Sequence, residues 1–171
     1  YTKRVSGKGL GVFSKMTLKP GDTVGIEAGG EIITLAEVRT RKRRGDDHAH
    51  QVAPNFYWAP KGKRDTTTLD RINHCCNPNV GLLGGTTWVV RKNISPHKDE
   101  LGNDYATFDF DPQYKIECRC GAQNCRGRLT GNDWKQLGLQ IRHWGYFTPF
   151  KQLEIEKRMR KNHLWVKDQK L

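Results

Sequence analysis

The chain has 171 residues, enough to bury one hydrophobic core but too few for two full-sized domains. Only 35% of the residues are apolar, and no apolar run approaches the roughly 20 residues that span a bilayer, so no membrane span is expected. The formal net charge of +12 favours anionic partners such as nucleic acid, an acidic protein face or an anionic lipid surface.

The first third of the sequence predicts short strands separated by glycine-containing turns. β-forming residues occur at positions 12–13 and 23–26. Thr34, followed three residues later by Glu37, has the spacing of a capping box with Thr34 as N-cap. We therefore predict a helix that begins after Thr34 and ends at Gly45.

That helix contains the densest basic run of the chain, which begins at Arg39 and ends at Arg44 (RTRKRR). One interpretation is a solvated charged face, the commonest reason for such a run. The other is a docking patch for DNA or for a nucleosome surface. Charge alone does not separate the two.

The middle of the chain has mixed signals. Residues 46–68 combine polar and aromatic groups, and we interpret His48 and His50 within them as exposed loop residues. Apolar, β-branched runs predict two further strands at residues 80–83 and 88–90.

Helical signals return near the C-terminus. Residues 133–137 are compatible with a helical turn. Thr148 and Pro149 have the pattern of an N-cap followed by proline at the first helical position, which predicts a final helix. That helix is weakly amphipathic and continues into a basic tail, residues 157–170.

Cysteines provide the strongest single signal. There are five, an odd number, and three of them fall within eight residues, which suits metal binding in a reducing intracellular compartment better than paired disulfides. Cys118, Cys120 and Cys125 form a C-x-C-x4-C cluster that can surround one tetrahedral Zn²⁺ but needs a fourth ligand. Cys75 and Cys76 are the candidates.

Two other interpretations of the cysteines stay open at this point. They could be buried without metal, or they could belong to a zinc-dependent nucleic-acid-binding module. The second interpretation leaves the first hundred residues unexplained. A zinc ion shared with Cys75 or Cys76 would instead attach the C-terminal segment to the middle of the domain.

Four motifs resemble those of SET-domain lysine methyltransferases and occur in that family's order. Residues 73–79 (NHCCNPN) resemble its NHSCxPN motif, and residues 100–105 (ELGNDY) match ELxxDY. Residues 8–13 (KGLGVF) resemble its opening GxG turn, and residues 118–125 resemble the post-SET zinc motif. The resemblance covers about residues 5–130.

The resemblance implies a mostly β fold with short helices: small antiparallel sheets around a pseudoknot, where the segments near Asn73 and Tyr105 cross. It also implies a division of the chain into a SET domain (1–112), a post-SET zinc segment (113–130) and a C-terminal helical, basic extension (131–171). The cofactor would be S-adenosylmethionine, on the opposite face from the entering lysine.

The resemblance further assigns roles to individual residues. Tyr105 is the expected catalytic tyrosine. The expected cofactor-binding residues are Lys8, Gly9, Leu10, Asn73, His74 and Tyr57. Cys76 takes the cysteine position of its motif, so the expected zinc ligands are Cys76, Cys118, Cys120 and Cys125.

The expected chemistry is an in-line displacement from a sulfonium to a neutral lysine amine, in which alignment and exclusion of water provide most of the acceleration. A phenol such as Tyr105 can orient the amine. Taken alone, Tyr105 is equally compatible with a core tyrosine whose hydroxyl is hydrogen-bonded.

Three positions depart from the family pattern. Ala28 stands where many members have a tyrosine that lines the lysine channel, and Asn103 where many have the Phe or Tyr that limits the number of methyl groups. Residues 70–72 (DRI) replace the usual arginine and aromatic residue. Tyr57 and Tyr114 are candidates to replace the missing channel tyrosine.

The sequence thus predicts an S-adenosylmethionine-dependent protein-lysine methyltransferase that acts on a histone tail or another basic protein, with a nuclear location if the source is eukaryotic. The run from Arg39 to Arg44 would contact nucleosomal DNA. The alternatives are a SET-fold binding module that does not turn over, and a zinc-dependent nucleic-acid binder.

Overall fold

The computed structural model describes residues 1–46 and 48–162 of the chain. They form twelve short strands and three α-helices. The strands are β1 (Thr2–Val5), β2 (Gly9–Phe13), β3 (Thr23–Ile26), β4 (Glu31–Thr34), β5 (His50–Ala53), β6 (Phe56–Ala59), β7 (Asn73–His74), β8 (Val80–Leu83), β9 (Thr87–Val90), β10 (Glu100–Asn103), β11 (Lys115–Glu117) and β12 (Arg128–Thr130). The helices are α1 (Leu35–Arg43), α2 (Leu137–Arg142) and α3 (Pro149–Lys161).

The strands form four small sheets. One has the order β1-β2-β10-β7, two have three strands each, in the orders β3-β9-β8 and β4-β6-β5, and the fourth is the β11-β12 pair. This architecture confirms the predicted fold class of small sheets with few helices. No helix in the described ranges is long and apolar enough to cross a membrane.

The one parallel pairing of named strands in the described part joins β7 to β10. Gly102 lies opposite Asn73, and Asn103 lies opposite His74. The Cys75 backbone N–H extends this pairing by donating to the Asn103 carbonyl at 2.8 Å. Two sequence motifs that are almost thirty residues apart therefore lie side by side, as expected for the crossing segments.

The local signals in the sequence were reliable where they were strong. α1 has Thr34 as its N-cap, and the reciprocal hydrogen bonds between Thr34 and Glu37 form the predicted capping box. β3 and β8 have the predicted bounds, and α3 begins at Pro149 after the N-cap Thr148. Residues 163–171, most of the predicted basic tail beyond α3, lie outside the described part.

The segment after α1 corrects one prediction. His50, expected in an exposed loop, is buried in β5, where its Nε2 lies 3.0 Å from the Gly85 carbonyl oxygen. Its ring stacks on Trp58 at a centroid distance of 5.3 Å. Burial lowers the pKa of His50 to about 4, so the ring is neutral and behaves as a core aromatic group.

The main core lies between the β1-β2-β10-β7 sheet and the β3-β9-β8 sheet. Its buried members are apolar residues from both sheets and the adjoining loops: Val12, Ile72, Val80, Leu82, Trp88, Val90, Ile94 and Leu101. A second cluster attaches the C-terminal helices and consists of Phe110, Trp134, Phe147, Ile155 and Met159. The C-terminal segment is thus packed onto the fold through its own apolar cluster.

Candidate active site and metal centre

Two cavities share Tyr105 as a lining residue. The larger, of about 790 Å³, is lined by residues of β2, α1, positions 48–50, positions 69–73 and positions 108–116, together with Glu27 and Trp88. The smaller, of about 480 Å³, is lined by Gly7, His74, Leu129 and residues 116–120. Lys8, Asn73 and Tyr105 line both cavities, so the predicted catalytic tyrosine lies where they adjoin.

Tyr105 is positioned by its backbone and by its hydroxyl group. It begins a 3₁₀ turn one residue after β10, and its ring makes an edge contact with His74 at a centroid distance of 5.3 Å. The phenol donates a hydrogen bond to the Ile72 carbonyl at 3.1 Å. Because this bond uses the only proton of the hydroxyl, the oxygen presents lone pairs to its other neighbours.

His74 links Tyr105 to the cysteine cluster. Its Nδ1 accepts a hydrogen bond from the Tyr105 backbone N–H at 3.2 Å. Burial lowers the pKa of His74 to about 4 even though Asp104 opposes the shift, so the ring is neutral. A neutral ring with an accepting Nδ1 carries its proton on Nε2, and this nitrogen lies 3.1 Å from Cys76 Sγ. His74 therefore donates to the sulfur.

Asp104, the acidic residue of ELxxDY, is fully buried and hydrogen-bonded on all sides. Arg126 donates to both of its oxygens at 2.6 and 2.7 Å, and Ala106 N–H donates at 3.0 Å. Nε2 of His143 lies 3.2 Å from Oδ2. Burial alone would raise the pKa of Asp104, but the bonds from Arg126 and His143 hold it well below its usual range.

Arg126 and His143 were not predicted as site residues. Arg126 directly follows the last cysteine of the cluster and also reaches Asp133 at 3.0 Å. His143 lies just after α2 with no exposed surface, and its Nδ1 accepts from Arg91 at 2.8 Å. The position of Arg126 beside a zinc motif was a weak signal that sequence reasoning missed. His143 lies in a segment without a recognised motif and gave no signal.

The cysteine sulfurs are spaced as ligands of one metal ion. Tetrahedral Zn–S bonds of about 2.3 Å place neighbouring sulfurs about 3.8 Å apart. Cys76 and Cys118 sulfurs are 3.8 Å apart, and those of Cys118 and Cys125 are 3.6 Å apart. The ligand atoms of Cys76, Cys118, Cys120 and His74 all lie within 4.8 Å of one another. The donor set therefore fits a thiolate-bound Zn²⁺.

This group of ligand atoms contains His74 and not the predicted ligand Cys125, although the surroundings of His74 argue against ligation. A ligating Nε2 must be unprotonated, which would put the proton on Nδ1 and oppose the Tyr105 N–H. The 3.1 Å distance from His74 Nε2 to Cys76 Sγ is also shorter than the roughly 3.5 Å between N and S ligands of one tetrahedral zinc. Both observations favour a hydrogen bond from His74 to a cysteine ligand.

The two adjacent cysteines differ in their surroundings. Cys76 has no exposed surface and belongs to the buried cluster with Cys118 and Leu129. Cys75 is half-buried, and its thiol interacts with Cys120. Burial raises the pKa of Cys76 to about 11, and a bound cation would reverse that shift. The choice of Cys76 as the fourth ligand stays a prediction.

The predicted cofactor-binding residues fall into two groups. Lys8, Leu10, Asn73 and His74 line one or both cavities, and Gly9 lies between Lys8 and Leu10 in β2. The Asn73 amide donates to the Leu10 carbonyl at 2.9 Å, and Lys8 Nζ pairs with Glu100 at 2.8 Å. These contacts join β2 to β7 and β10 at the boundary between the cavities.

Tyr57 is not brought to the site. Its side chain is 2% exposed and packs with Ile33, Val38 and Ala59 in a separate core cluster, and it lines neither cavity. The alternation of β6 directs Tyr57 inward, which the sequence did not reveal because that strand was not predicted. Tyr114, the other aromatic candidate, lines the larger cavity.

The basic run on α1 is largely paired within the molecule. Arg39 binds Asp111 at 3.1 Å, Arg41 binds Glu31 at 2.7 Å, and Lys42 lies 3.4 Å from Asp109. Arg43 and Arg44 are exposed and have no acidic partner in the described ranges. Arg39 and Lys42 therefore attach α1 to the wall of the larger cavity, and the last two residues of the run are the ones without an acidic partner in the described ranges.

Comparison with known proteins identifies histone-lysine N-methyltransferases as relatives. No description of a known protein family matches the chain. The histone-lysine N-methyltransferase Su(var)3-9 of Drosophila melanogaster is 28% identical over 72% of this chain and 24% of its own length. Histone-lysine N-methyltransferase ASHH1 of Arabidopsis thaliana is 28% identical over 74% of this chain and 27% of its own. The chain thus spans about a quarter of these relatives.

Solved structures show the same similarity. KRYPTONITE in complex with mCHH DNA, an H3(1–15) peptide and SAH superposes with a TM-score of 0.57 and 26% identity, over 75% of this chain and 29% of that chain. Arabidopsis thaliana SUVH6 in complex with SAM gives a TM-score of 0.58 at 21% identity, over 74% of this chain and 32% of its own, which is a likeness of fold.

Proposed function

Since the chain belongs to the SET-domain family of lysine methyltransferases, we propose that it transfers a methyl group from S-adenosylmethionine to a lysine side chain of a histone or another basic protein. The observation that carries the proposal is the position of Tyr105 between two cavities. A methyl donor and an amine that approach from opposite sides need one oriented group at their meeting point.

The smaller cavity suits the cofactor. Its lining offers apolar side chains at Ile116 and Leu129 for a flat base, and the ammonium of Lys8, which is paired with Glu100, for a carboxylate. When bound there, the cofactor supplies an electrophilic methyl group. Lys8, Asn73 and His74 would hold it, and Gly7, which has no side chain, would let the backbone ahead of β2 approach closely.

The larger cavity suits the substrate lysine. In our proposal Tyr105 keeps its phenol proton on the Ile72 carbonyl, and its oxygen accepts a hydrogen bond from the neutral lysine amine. That bond aims the nitrogen lone pair at the junction of the cavities. Alignment and exclusion of water are then the main contributions of the protein to the rate.

The zinc site supports the cofactor cavity. We propose that Cys76, Cys118, Cys120 and Cys125 hold one Zn²⁺, and Cys118 and Cys120 also line the smaller cavity. The metal would attach the post-SET segment (113–130) to β7 and so complete the cavity wall. Five cysteines that are free in the structure are compatible with a reducing intracellular compartment.

The partners follow from the relatives. KRYPTONITE binds DNA and a histone H3 peptide in its structure, and other relatives are named for histone methylation. We propose a histone-tail substrate, a nuclear location in a eukaryotic cell, and a DNA contact limited to the exposed residues Arg43 and Arg44. Paired Arg39, Arg41 and Lys42 would contribute little.

The test is methyl transfer from labelled S-adenosylmethionine to mixed histones. Tyr105→Phe should reduce transfer by at least 100-fold while binding the cofactor normally by calorimetry, since the ring remains and only the oriented oxygen is lost. Tyr1→Phe is a matched control, because its hydroxyl contacts His97 on the surface. Cofactor binding without transfer to any protein would indicate a binding module, and DNA binding without cofactor binding would indicate a nucleic-acid-binding protein.

The zinc assignment is tested by measuring the metal content of the protein and of its cysteine variants. Elemental analysis should find one zinc ion per chain, and Cys125→Ser and Cys76→Ser should lose it together with methyl transfer. Cys75→Ser, which changes the neighbouring thiol, should retain both. Full zinc content in Cys76→Ser together with zinc loss in Cys75→Ser would reverse the assignment of the fourth ligand.

A further inference from the structure

Glu27 is a buried carboxyl group in the wall of the larger cavity. It directly follows β3, and only 8% of the residue is exposed. Its Oε1 accepts a hydrogen bond from Trp88 Nε1 at 2.6 Å. Its Oε2 is buried and has no hydrogen-bond partner among the described residues. Buried carboxylate oxygens normally have partners, so Oε2 calls for an explanation.

The burial of Glu27 and the negative charge of Asp70 also favour a positively charged partner at this site. Burial raises its pKa to about 7 against the hydrogen bond from Trp88, and the nearby Asp70 adds to the rise. Asp70 also lines the cavity, and among the described residues its carboxylate accepts hydrogen bonds from Thr67 alone. A positive charge near Glu27 would relieve both the burial and the repulsion.

Several other charged groups of this cavity are already paired, although Arg43, Arg71 and Lys115 in its lining have no ion pair among the described residues. Asp109 and Asp111 pair with Lys42 and Arg39 from α1. Lys8 pairs with Glu100 at 2.8 Å. Glu27 therefore remains as the buried, unpaired acceptor of a cavity that also contains Tyr105.

We propose that Glu27 binds the ammonium group of the lysine side chain as it enters the larger cavity, before the amine loses its proton and reaches Tyr105. The proposal rests on the proposed function, since it takes the substrate to be a lysine in a peptide. Glu27 lies in the cavity wall, where a long, unbranched side chain can reach it, and an ammonium supplies the charged donor that Oε2 lacks. Glu27 thus acts as a substrate-binding residue that selects for a cationic side chain.

The test compares peptide binding by wild-type protein and Glu27→Gln, which keeps the shape and the acceptor for Trp88 but removes the charge. The probes are the H3(1–15) peptide and the same peptide with each lysine replaced by norleucine, titrated by calorimetry. Wild-type protein should bind the lysine peptide about 10- to 100-fold more tightly than the norleucine peptide, and Glu27→Gln should lose most of that preference. Glu156→Gln on α3 is a control with the same change of charge.

The outcomes separate this proposal from the proposed function. An unchanged lysine preference in Glu27→Gln, or no preference in the wild type, overturns the role of Glu27 whether or not methyl transfer occurs. Lost preference in Glu27→Gln, with unchanged cofactor affinity and unchanged binding by Glu156→Gln, supports it. Absence of methyl transfer in the separate labelling assay would count against the catalytic proposal while leaving the binding result intact.

Discussion

Replacing Arg126 by methionine should destabilise the protein strongly, because it leaves buried carboxylates without their cation. The guanidinium makes two bonds to Asp104 and one to Asp133, and Asp104 has no exposed surface. Removing one partner of such a buried pair costs about 3–5 kcal/mol. At roughly 2–4 °C per kcal/mol for a chain of this size, the melting temperature should fall by about 6–20 °C.

A matched change in the same segment sets the baseline. Arg119 also pairs with a carboxylate, Glu117, at 2.9 Å, but their side chains are 86% and 72% exposed. Arg119→Met should therefore cost less than about 1 kcal/mol. Both variants are unfolded in urea at one buffered zinc concentration, so that metal occupancy contributes equally.

A second substitution tests whether the unpaired carboxylate causes the loss of stability in Arg126→Met. Asp104→Asn in the Arg126→Met background removes the stranded charge and should recover part of the lost stability. An Arg126→Met variant within 1 kcal/mol of Arg119→Met would refute the assignment of a buried ion pair. A double variant that is less stable than Arg126→Met would show that packing, and not charge, dominates the effect.

Two further predictions concern packing and pH. Gly131→Ala should prevent stable folding, because a Cβ there would lie 1.9 Å from the Asp111 carbonyl oxygen. In Gly138→Ala, on α2, the new Cβ meets nothing within 4 Å. Thermal unfolding should show that this second substitution stabilises the protein by about 0.5–1 kcal/mol. Glu27 has its pKa raised from 4.5 to about 7 by burial, so wild-type stability is lost as pH rises through 7. Glu27→Gln should be more stable than wild type, and urea unfolding should show the gap growing by about 1.4 kcal/mol from pH 6 to pH 8.5. A gap that stays constant over this range would contradict a raised pKa at Glu27, and a folded Gly131→Ala would contradict the close backbone approach.

Sequence reasoning succeeded where one short segment contains the whole physical cause. The reciprocal bonds of Thr34 and Glu37 join residues three apart, so the start of α1 was predictable. The β-branched and apolar run of β8 is equally local. The cysteine spacing predicted a cluster whose sulfurs are indeed close, although spacing does not choose between Cys75 and Cys76.

Sequence reasoning failed where a residue's burial or pairing depends on a contact between distant segments. His50 was misplaced because its strand carries polar residues, and contacts with Trp58, Phe108 and Gly85 bury it. The basic run was ambiguous for the same reason. Its partners Asp109 and Asp111 lie about seventy residues further along the chain. A charge count does not reveal such partners, since pairing depends on the fold.

The buried network around Asp104 bears on how the chain divides. The motifs suggest boundaries after residues 112 and 130, yet the bonds of Asp104 cross both of them, to Arg126 and to His143. Asp104 immediately precedes Tyr105, whose backbone N–H is bonded to His74 beside the cysteine cluster. Displacing the segment that contains Arg126 would strand a buried charge next to the tyrosine, at a cost of several kcal/mol. Displacing the segment after residue 130 would remove the His143 contact with Asp104 and the Asp133 partner of Arg126. The segment after residue 130 therefore belongs to the structure that positions Tyr105, even though it matches no motif of the family.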